Sequence, residues 1–327
     1  MKNHPLIVLV IVLMTVACSQ PASAGSGEEI FLSESPPRGH SHGKSRGGEQ
    51  GHSEHRAAPV KKFYLNTHAI SDNAAAYVLR PDGTMTKGTL SHGEDGWSVT
   101  FDTRPLDSSM DGVFNVYIVD REVVDQTLLL KVAKMNMINH SCDWGHKYKY
   151  DTERLTPKSI NEIPLEITAG GLWDGYFHTK TMSGDTLTFT VLHEGKAVEG
   201  AKVKVSTQTG WTKELKTDSR GKGTFQLIRD YYPESWDDFN SRKRGNFLVT
   251  AEYELAESGE YSGNQYNKVR LITTFPWKYN PQRNEYTSYA YGISVATVFA
   301  CVTGFGIFLH RERRKRRYRE ADLDEKA

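Results

Sequence analysis

Gly184-Asp185-Thr186-Leu187-Thr188-Phe189-Thr190-Val191 carries an apolar side chain at every second position. That period sets Leu187, Phe189 and Val191 on one face of an extended strand and the threonines on the other. Glu194-Gly195 is a turn pair leading into Val198, Ala201, Val203 and Val205, and Thr217-Asp218-Ser219-Arg220-Gly221 is a second turn leading to Phe225 and Leu227. Phe247, Val249, Ala251 and Tyr253 alternate again. Short strands at this spacing, each with one apolar face, predict a two-sheet sandwich.

Working outward towards the N-terminus, Trp97 to Phe101, Val113 to Val119 and Leu128 to Val132 are further runs of branched and aromatic residues, set apart by Gly, Asp and Pro. The expected fold class is all-β: two β-sandwich-like exported domains plus one C-terminal transmembrane α-helix. One insertion breaks the rhythm, Asp230 to Phe239 with Tyr231, Tyr232 and Trp236. Its aromatics either close an end of the sandwich or meet a partner.

Towards the C-terminus, Tyr289 to Leu309 holds no charged residue. As a helix it reaches about 31 Å, enough for a bilayer core. Arg311, Arg313, Arg314, Lys315, Arg316, Arg317 and Arg319 follow directly, and such a cluster stays on the cytoplasmic side of a single span. Tyr286, Tyr289 and Tyr291 fit an interfacial belt. At the other end, Lys2, the apolar run Leu6 to Val16 and Ala22-Ser23-Ala24 read as a signal peptide cleaved after Ala24. Thr15-Val16-Ala17-Cys18 offers the rival reading of a lipidated cysteine. Localisation is therefore expected at the inner (cytoplasmic) membrane, single-pass, with the bulk of the chain periplasmic or extracellular and the C-terminus in the cytoplasm.

The expected organisation is a signal peptide at 1–24, a disordered His-rich tether at 25–60, a β-domain of unknown role at 61–165 and a transthyretin-like sandwich at 166–275. A juxtamembrane linker at 276–288, the helix at 289–309 and a basic cytoplasmic tail at 310–327 complete it. The tail holds 8 basic and 5 acidic residues, leaving 33 basic against 35 acidic elsewhere, so no nucleic-acid surface is implied. Of the 3 cysteines, Cys18 lies in the signal and Cys301 in the span, so Cys142 alone remains and no disulfide framework exists.

Two groups of residues suit metal chemistry. His40 and His42, then His52 and His55, lie in the low-complexity tether, and neutral imidazoles are the common ligands of nickel, cobalt, zinc and copper. The bland reading is a solvated polar linker with incidental histidines. The second group follows a predicted strand: Met135 and Met137 share a face, and His140, Cys142 and His146 come just after. Thioether, thiolate and imidazole together suit Cu(I). The opposing reading makes the methionines core filler and the histidines surface residues. Asn139-His140-Ser141 also has the N-glycosylation pattern. His68 follows the tether closely and joins the candidates. His92, His178 and His193 read as structural or solvated.

No His-Glu-x-x-His, Gly-x-Ser-x-Gly, phosphate-binding loop or dinucleotide fingerprint occurs, so no enzyme is expected. Gly292, Ala296, Ala300 and Gly304 recur at every fourth position of the span. Small residues at that spacing let another helix approach closely, though Gly and Ala are also simply common in such helices.

Gly184 to Phe189, Val198-Glu199-Gly200-Ala201-Lys202-Val203, Thr217 to Gly221 and Leu271-Ile272-Thr273-Thr274-Phe275-Pro276 together resemble a family of bacterial exported proteins described as the periplasmic component of cobalt or nickel transport systems. The resemblance covers about 61–275. The stretch from about Gly184 to Tyr253 also looks like the transthyretin-like or carboxypeptidase-regulatory sandwich, a fold that says little about function. The family implies an accessory that presents Ni²⁺ or Co²⁺ as cargo to a membrane transporter subunit, with no organic cofactor. Members commonly carry a histidine close to the mature N-terminus, where this chain has the His-rich stretch and then His68. The competing expectations are a structural or adhesion module that binds protein or glycan, and a copper-handling protein using Met135, Met137, His140 and Cys142.

Overall fold

The computed structural model describes residues 29–36, 60–67, 69–104, 112–139, 160, 162–169, 171–172, 181–231, 240 and 243–324. In chain order the strands of the first half are β1 (Leu32–Ser33), β2 (Val60–Leu65), β3 (Ala75–Leu79), β4 (Met85–Lys87), β5 (Thr89–Gly93), β6 (Gly96–Asp102), β7 (Gly112–Val124) and β8 (Thr127–Asn139). Then come β9 (Leu165–Ala169), β10 (Thr186–His193), β11 (Lys196–Ala197), β12 (Lys202–Thr207), β13 (Thr212–Lys216), β14 (Lys222–Gln226), β15 (Gly245–Leu255), β16 (Gly259–Tyr261), β17 (Asn264–Tyr266) and β18 (Lys268–Tyr279). One helix, α1 (Arg283–Asp324), ends the described chain. The architecture is all-β with a single C-terminal helix, as the two-residue periodicity leads one to expect.

A central sheet of order β13-β12-β15-β18-β8-β7-β3-β4 runs through the body. It takes four strands from each side of the boundary expected at residue 165, and β18 joins β8 in parallel, Lys268 opposite Thr127 through Thr274 opposite Ala133. Two smaller sheets cover it on opposite faces. On one face the sheet β1-β2-β6-β5 packs Leu32, Phe63, Leu65, Val99 and Phe101 against Phe114, Val116, Ile118, Ala133 and Met135. On the other face, β9, β10 and β14 pack Ile167, Phe189, Val191 and Phe225 against Val203, Val249, Leu271 and Phe275. Alternation explains how β8 serves both layers: Ala133 and Met135 point into the first core, Leu128 and Leu130 into the second.

Two expectations about the chain ends need correction. Glu29–Ser33 is not part of an unpacked tether. Ile30 and Leu32 are buried, β1 pairs with β2 through Leu32–Leu65 and Ser33–Tyr64, and the Thr274 hydroxyl donates to the Ile30 carbonyl at 2.6 Å. Three apolar residues in a row, Ile30, Phe31 and Leu32, sufficed to seat a short edge strand once a sheet was there to receive it. The His-rich stretch is thus a connection between two neighbouring strands. Likewise β18 continues through Pro276, Trp277 and Tyr279, with Trp277 and Tyr279 buried, where a linker was expected. Proline is tolerated there because β18 has lost its β8 partner after Thr274 and needs no second ladder. α1 then starts at Arg283, and its stretch from Ala290 to Lys315 is apolar and long enough to cross a membrane. Tyr291, Val295, Phe299, Val302 and Phe305 on that stretch are all exposed.

Candidate functional site

The strand directions define two ends of the body. β18 and β8 run in parallel, so Asn139 and Tyr279 finish on the same side, and α1 begins four residues after Tyr279. β1 runs the same way, since Ile30 is bound by Thr274 and Glu34 by Lys278. Val60, which opens β2, pairs with Asp102, which closes β6, and Gly112 pairs with Asn139. All these positions therefore share the end from which the helix departs.

That end is packed and clamped. Phe63 and Phe101 lie 5.6 Å apart and Phe101 and Phe114 6.2 Å, and Phe114 stands opposite Met137. The Arg80 guanidinium sits 5.9 Å over the Phe114 ring and donates to the Arg104 carbonyl. Arg104 Nε donates to Asp102 at 2.7 Å, and the Arg104 hydrogen bonds, led by its side chain, hold the Asp102 carboxyl down at about 2. Near the exit, Trp277 Nε1 donates to Thr181 Oγ1 at 3.0 Å and the Tyr279 hydroxyl donates to Asp230 at 2.7 Å. Asn280 accepts from the Ser183 amide at 2.8 Å and donates to the Thr181 carbonyl at 3.1 Å. Gln282 N donates to Ser183 Oγ at 3.1 Å. The body is tied down up to the residue before the helix.

His40, His42, His52, His55, His140, Cys142 and His146 lie outside the described residues. Their flanks do not. The segment 37–59 leaves after Pro36 and returns at Val60, and the segment with His140, Cys142 and His146 leaves after Asn139, all on the helix side. The aromatic insertion also starts and ends there, between Asp230 and Gly245. His68, likewise undescribed, follows the opposite end of β2 and so departs from the other side of the body.

Met135 and Met137 are placed in the first core. Met135 is buried opposite Val116, and Met137 packs against the same cluster opposite Phe114. Both thioethers are used in packing, as flexible apolar side chains often are. Among the described residues no three His, Cys, Asp or Glu side chains converge as metal ligands would. Gly292, Ala296, Ala300 and Gly304 lie exposed on α1, with open space around Gly292 and Gly304.

One buried polar group was not anticipated. Lys134 Nζ donates to Glu166 Oε1 at 2.5 Å and to the Ile167 carbonyl at 2.8 Å, and the Tyr117 hydroxyl donates to the same Glu166 oxygen at 2.6 Å. Side-chain exposure is 0% for Lys134 and 1% for Glu166. Burial, then the Glu166 charge, pushes the Tyr117 hydroxyl well above its usual range, and burial lowers the Lys134 ammonium. The group binds β9 to the central sheet between the two halves of that face. Two lysines, Lys131 and Lys134, inside the otherwise largely apolar run from Leu128 to Met137 were the sequence signal.

No family model matches the chain, and no curated protein matches it. Among solved structures, one described as structural insight into host cell surface retention of a 1.5-MDa bacterial ice-binding adhesin is 12% identical with a TM-score of 0.21, covering 68% of this chain and 57% of its own. A tetra-tandem repeat in the extending region of a large adhesion protein is 13% identical at 0.18, covering 67% and 45%. A Ca²⁺-stabilized adhesin that helps an Antarctic bacterium reach out and bind ice is 11% identical at 0.18, covering 69% and 45%. The chain thus spans about half the length of these structures. At such scores the likeness supports no statement about this chain's activity.

Proposed function

We propose that the chain is a membrane-anchored, non-catalytic accessory that captures a divalent transition metal, nickel or cobalt, at the helix-side end of its β-body and passes it to a membrane transporter subunit. The supporting observation is the strand register. It brings the flanks of the segment with His40, His42, His52 and His55, and the start of the segment with His140, Cys142 and His146, to the end from which α1 leaves. Only a few residues separate the last clamped position, Gln282, from the apolar stretch at Ala290. At 1.5 Å per helical residue this keeps the ligand-bearing end within about 12 Å of the bilayer surface. A cargo bound there needs no long transfer to reach a membrane partner.

In this reading α1 crosses the inner membrane with the β-body outside and the Arg-rich end in the cytoplasm, since basic residues next to a span are retained there. The face of Gly292, Ala296, Ala300 and Gly304 docks the transporter, close approach being what small residues permit in lipid. Imidazoles on a long connection suit Ni²⁺ and Co²⁺ better than Cu(I) once the methionines are committed to the core.

The test is titration of the purified full chain with Ni²⁺, Co²⁺, Zn²⁺ and Cu(I). Binding of Ni²⁺ or Co²⁺ tighter than about 10 µM is expected. Joint replacement of His40, His42, His52 and His55 by Ala should weaken it by at least about tenfold, a loss of roughly 1.4 kcal/mol. If no ion binds at that level, the metal reading falls, and a structural or adhesion module remains.

A further inference from the structure

α1 does not stop where its apolar stretch stops. It continues as helix to Asp324, through 311–319, where seven of nine positions are Arg or Lys. Such a run opposes its own helix. Arg311 and Lys315, Arg313 and Arg317, and Arg311 and Arg314 stand three or four positions apart, the spacing at which like charges repel on a helix. The described relief is slight: Lys315 Nζ lies 3.3 Å from Glu312, with both side chains largely exposed, at 74% and 41%. Exposed pairs of this kind contribute little. The remaining acids, Glu320, Asp322, Asp324 and Glu325, all come after the basic run and are farther from the apolar stretch.

Counter-charge supplied from outside the chain removes the conflict, and the geometry restricts where it comes from. Position 319 lies about 15 Å along the axis from Leu309. A headgroup layer adds roughly 5–8 Å to each side of the hydrocarbon core, and its surface potential reaches about one Debye length, near 8 Å, beyond that. The whole run therefore falls in the zone governed by lipid headgroups. Arg311, Arg313, Arg314 and Lys315 are exposed on the helix at the inner part of that zone.

We infer that residues 311–319 form a collar that binds anionic phospholipid headgroups of the bilayer that α1 crosses. Guanidinium groups suit this task, because each presents a planar fork of donors to phosphate oxygens. A lipid held there neutralises the like-charge pairs and fixes the depth of the helix, and with it the distance of the clamped β-body from the membrane. This inference does not depend on metal binding or on which side of the membrane the collar faces.

The experiment uses the full chain reconstituted in mixed bilayers, with spin-labelled phosphatidylglycerol and phosphatidylcholine compared for their association with the protein. Phosphatidylglycerol should be preferred several-fold, and the preference should shrink as salt is raised. In the variant carrying Arg311→Gln, Arg313→Gln, Arg314→Gln and Lys315→Gln, it should fall towards parity. Arg316, Arg317 and Arg319 stay in place to keep the orientation of the span. Equal association of the two lipids with the native chain overturns the proposal, as does a preference that the variant retains in full. Should the variant fail to insert, the native chain decides alone: a preference insensitive to salt overturns the collar. None of these outcomes bears on the nickel titration.

Discussion

The two ends of the β-body are built differently from the same strands. The end away from the helix is closed mostly by short turns: Asp125-Gln126 joins β7 to β8, Glu194-Gly195 joins β10 to β11, Ser262-Gly263 joins β16 to β17, and Glu94-Asp95 joins β5 to β6, with 66–74 between β2 and β3 as a longer connection. At the helix-side end several connections lengthen, with 34–59 between β1 and β2, 103–111 between β6 and β7, and the aromatic insertion before β15, beside the shorter turns at 80–84 and 208–211. Tight turns set register and leave little side-chain surface to recognise anything. Long connections do the reverse, which is why binding groups concentrate on them above a rigid scaffold. In this chain most of the short turns lie at the end away from α1, and the longest connections lie at the end from which α1 departs.

Different as they are, both ends depend on one body and should fail together when its middle is broken. The largest effect is expected for Lys134→Met. It leaves Glu166 buried and without its ammonium partner, and breaking a buried pair in this way costs about 3–5 kcal/mol. Urea unfolding measures it, with hydrogen exchange showing amide protection lost at both ends. Adding Glu166→Gln removes the stranded charge while the new amide oxygen can still accept from Tyr117, so the double variant should recover part of the loss. A double variant less stable than Lys134→Met would mean that packing, not charge, holds β9 in place.

A smaller effect is expected at the far end alone. Gly221 has φ +69° and a Cβ there would lie 2.7 Å from the Val191 carbonyl oxygen and 2.9 Å from the Val198 nitrogen. Both obstacles are backbone, so Gly221→Ala should cost about 2–3 kcal/mol. Its nickel affinity should match that of the native chain. A parallel loss of binding would show that the far end takes part in the site and would remove the division between the ends.

Much of this fold was legible. Alternation at Leu187, Phe189 and Val191 and at Phe247, Val249 and Ala251 located strands whose side chains now form the second core. The turns at Glu194-Gly195 and Asp218 to Gly221 were readable because Gly and Asp have local reasons to be there. Gly221 adopts a left-handed φ, and Asp218 Oδ1 accepts from the Arg220 and Lys222 amides at 2.9 and 2.8 Å. What escaped was pairing at long range. No local pattern tells that β18 adds to β8 in parallel and makes one sheet of the two halves, because a strand's partner is set by tertiary packing. β1 escaped for a related reason, as its two residues carry no period and gain their place only against β2. The candidate ligands were legible as residue types, while their distribution between the ends was not. Strand direction sets where their flanks lie, with Pro36, Val60 and Asn139 on the helix side and Leu65 at the other end.

The smallest expected effect probes the far end without disturbing its packing. Asp125 and Gln126 both adopt left-handed backbone, with φ of 48° and 58°, in a two-residue hairpin turn for which Asn-Gly is the preferred pair. Asp125→Asn with Gln126→Gly should relieve about 1 kcal/mol of backbone strain. The gain is not free, since Gln126 Oε1 accepts from Asn267 Nδ2 at 3.1 Å and glycine forfeits that exposed bond. A net exposed hydrogen bond contributes about 0.5 kcal/mol, and the Asn267 amide still donates to the carbonyl of residue 126 at 2.9 Å through the backbone. The variant should therefore be more stable by roughly 0.5 kcal/mol, read as a small rise in the urea midpoint at unchanged slope, with nickel binding unaltered. A lower midpoint would show that the Asn267 side chain, rather than turn geometry, closes this end.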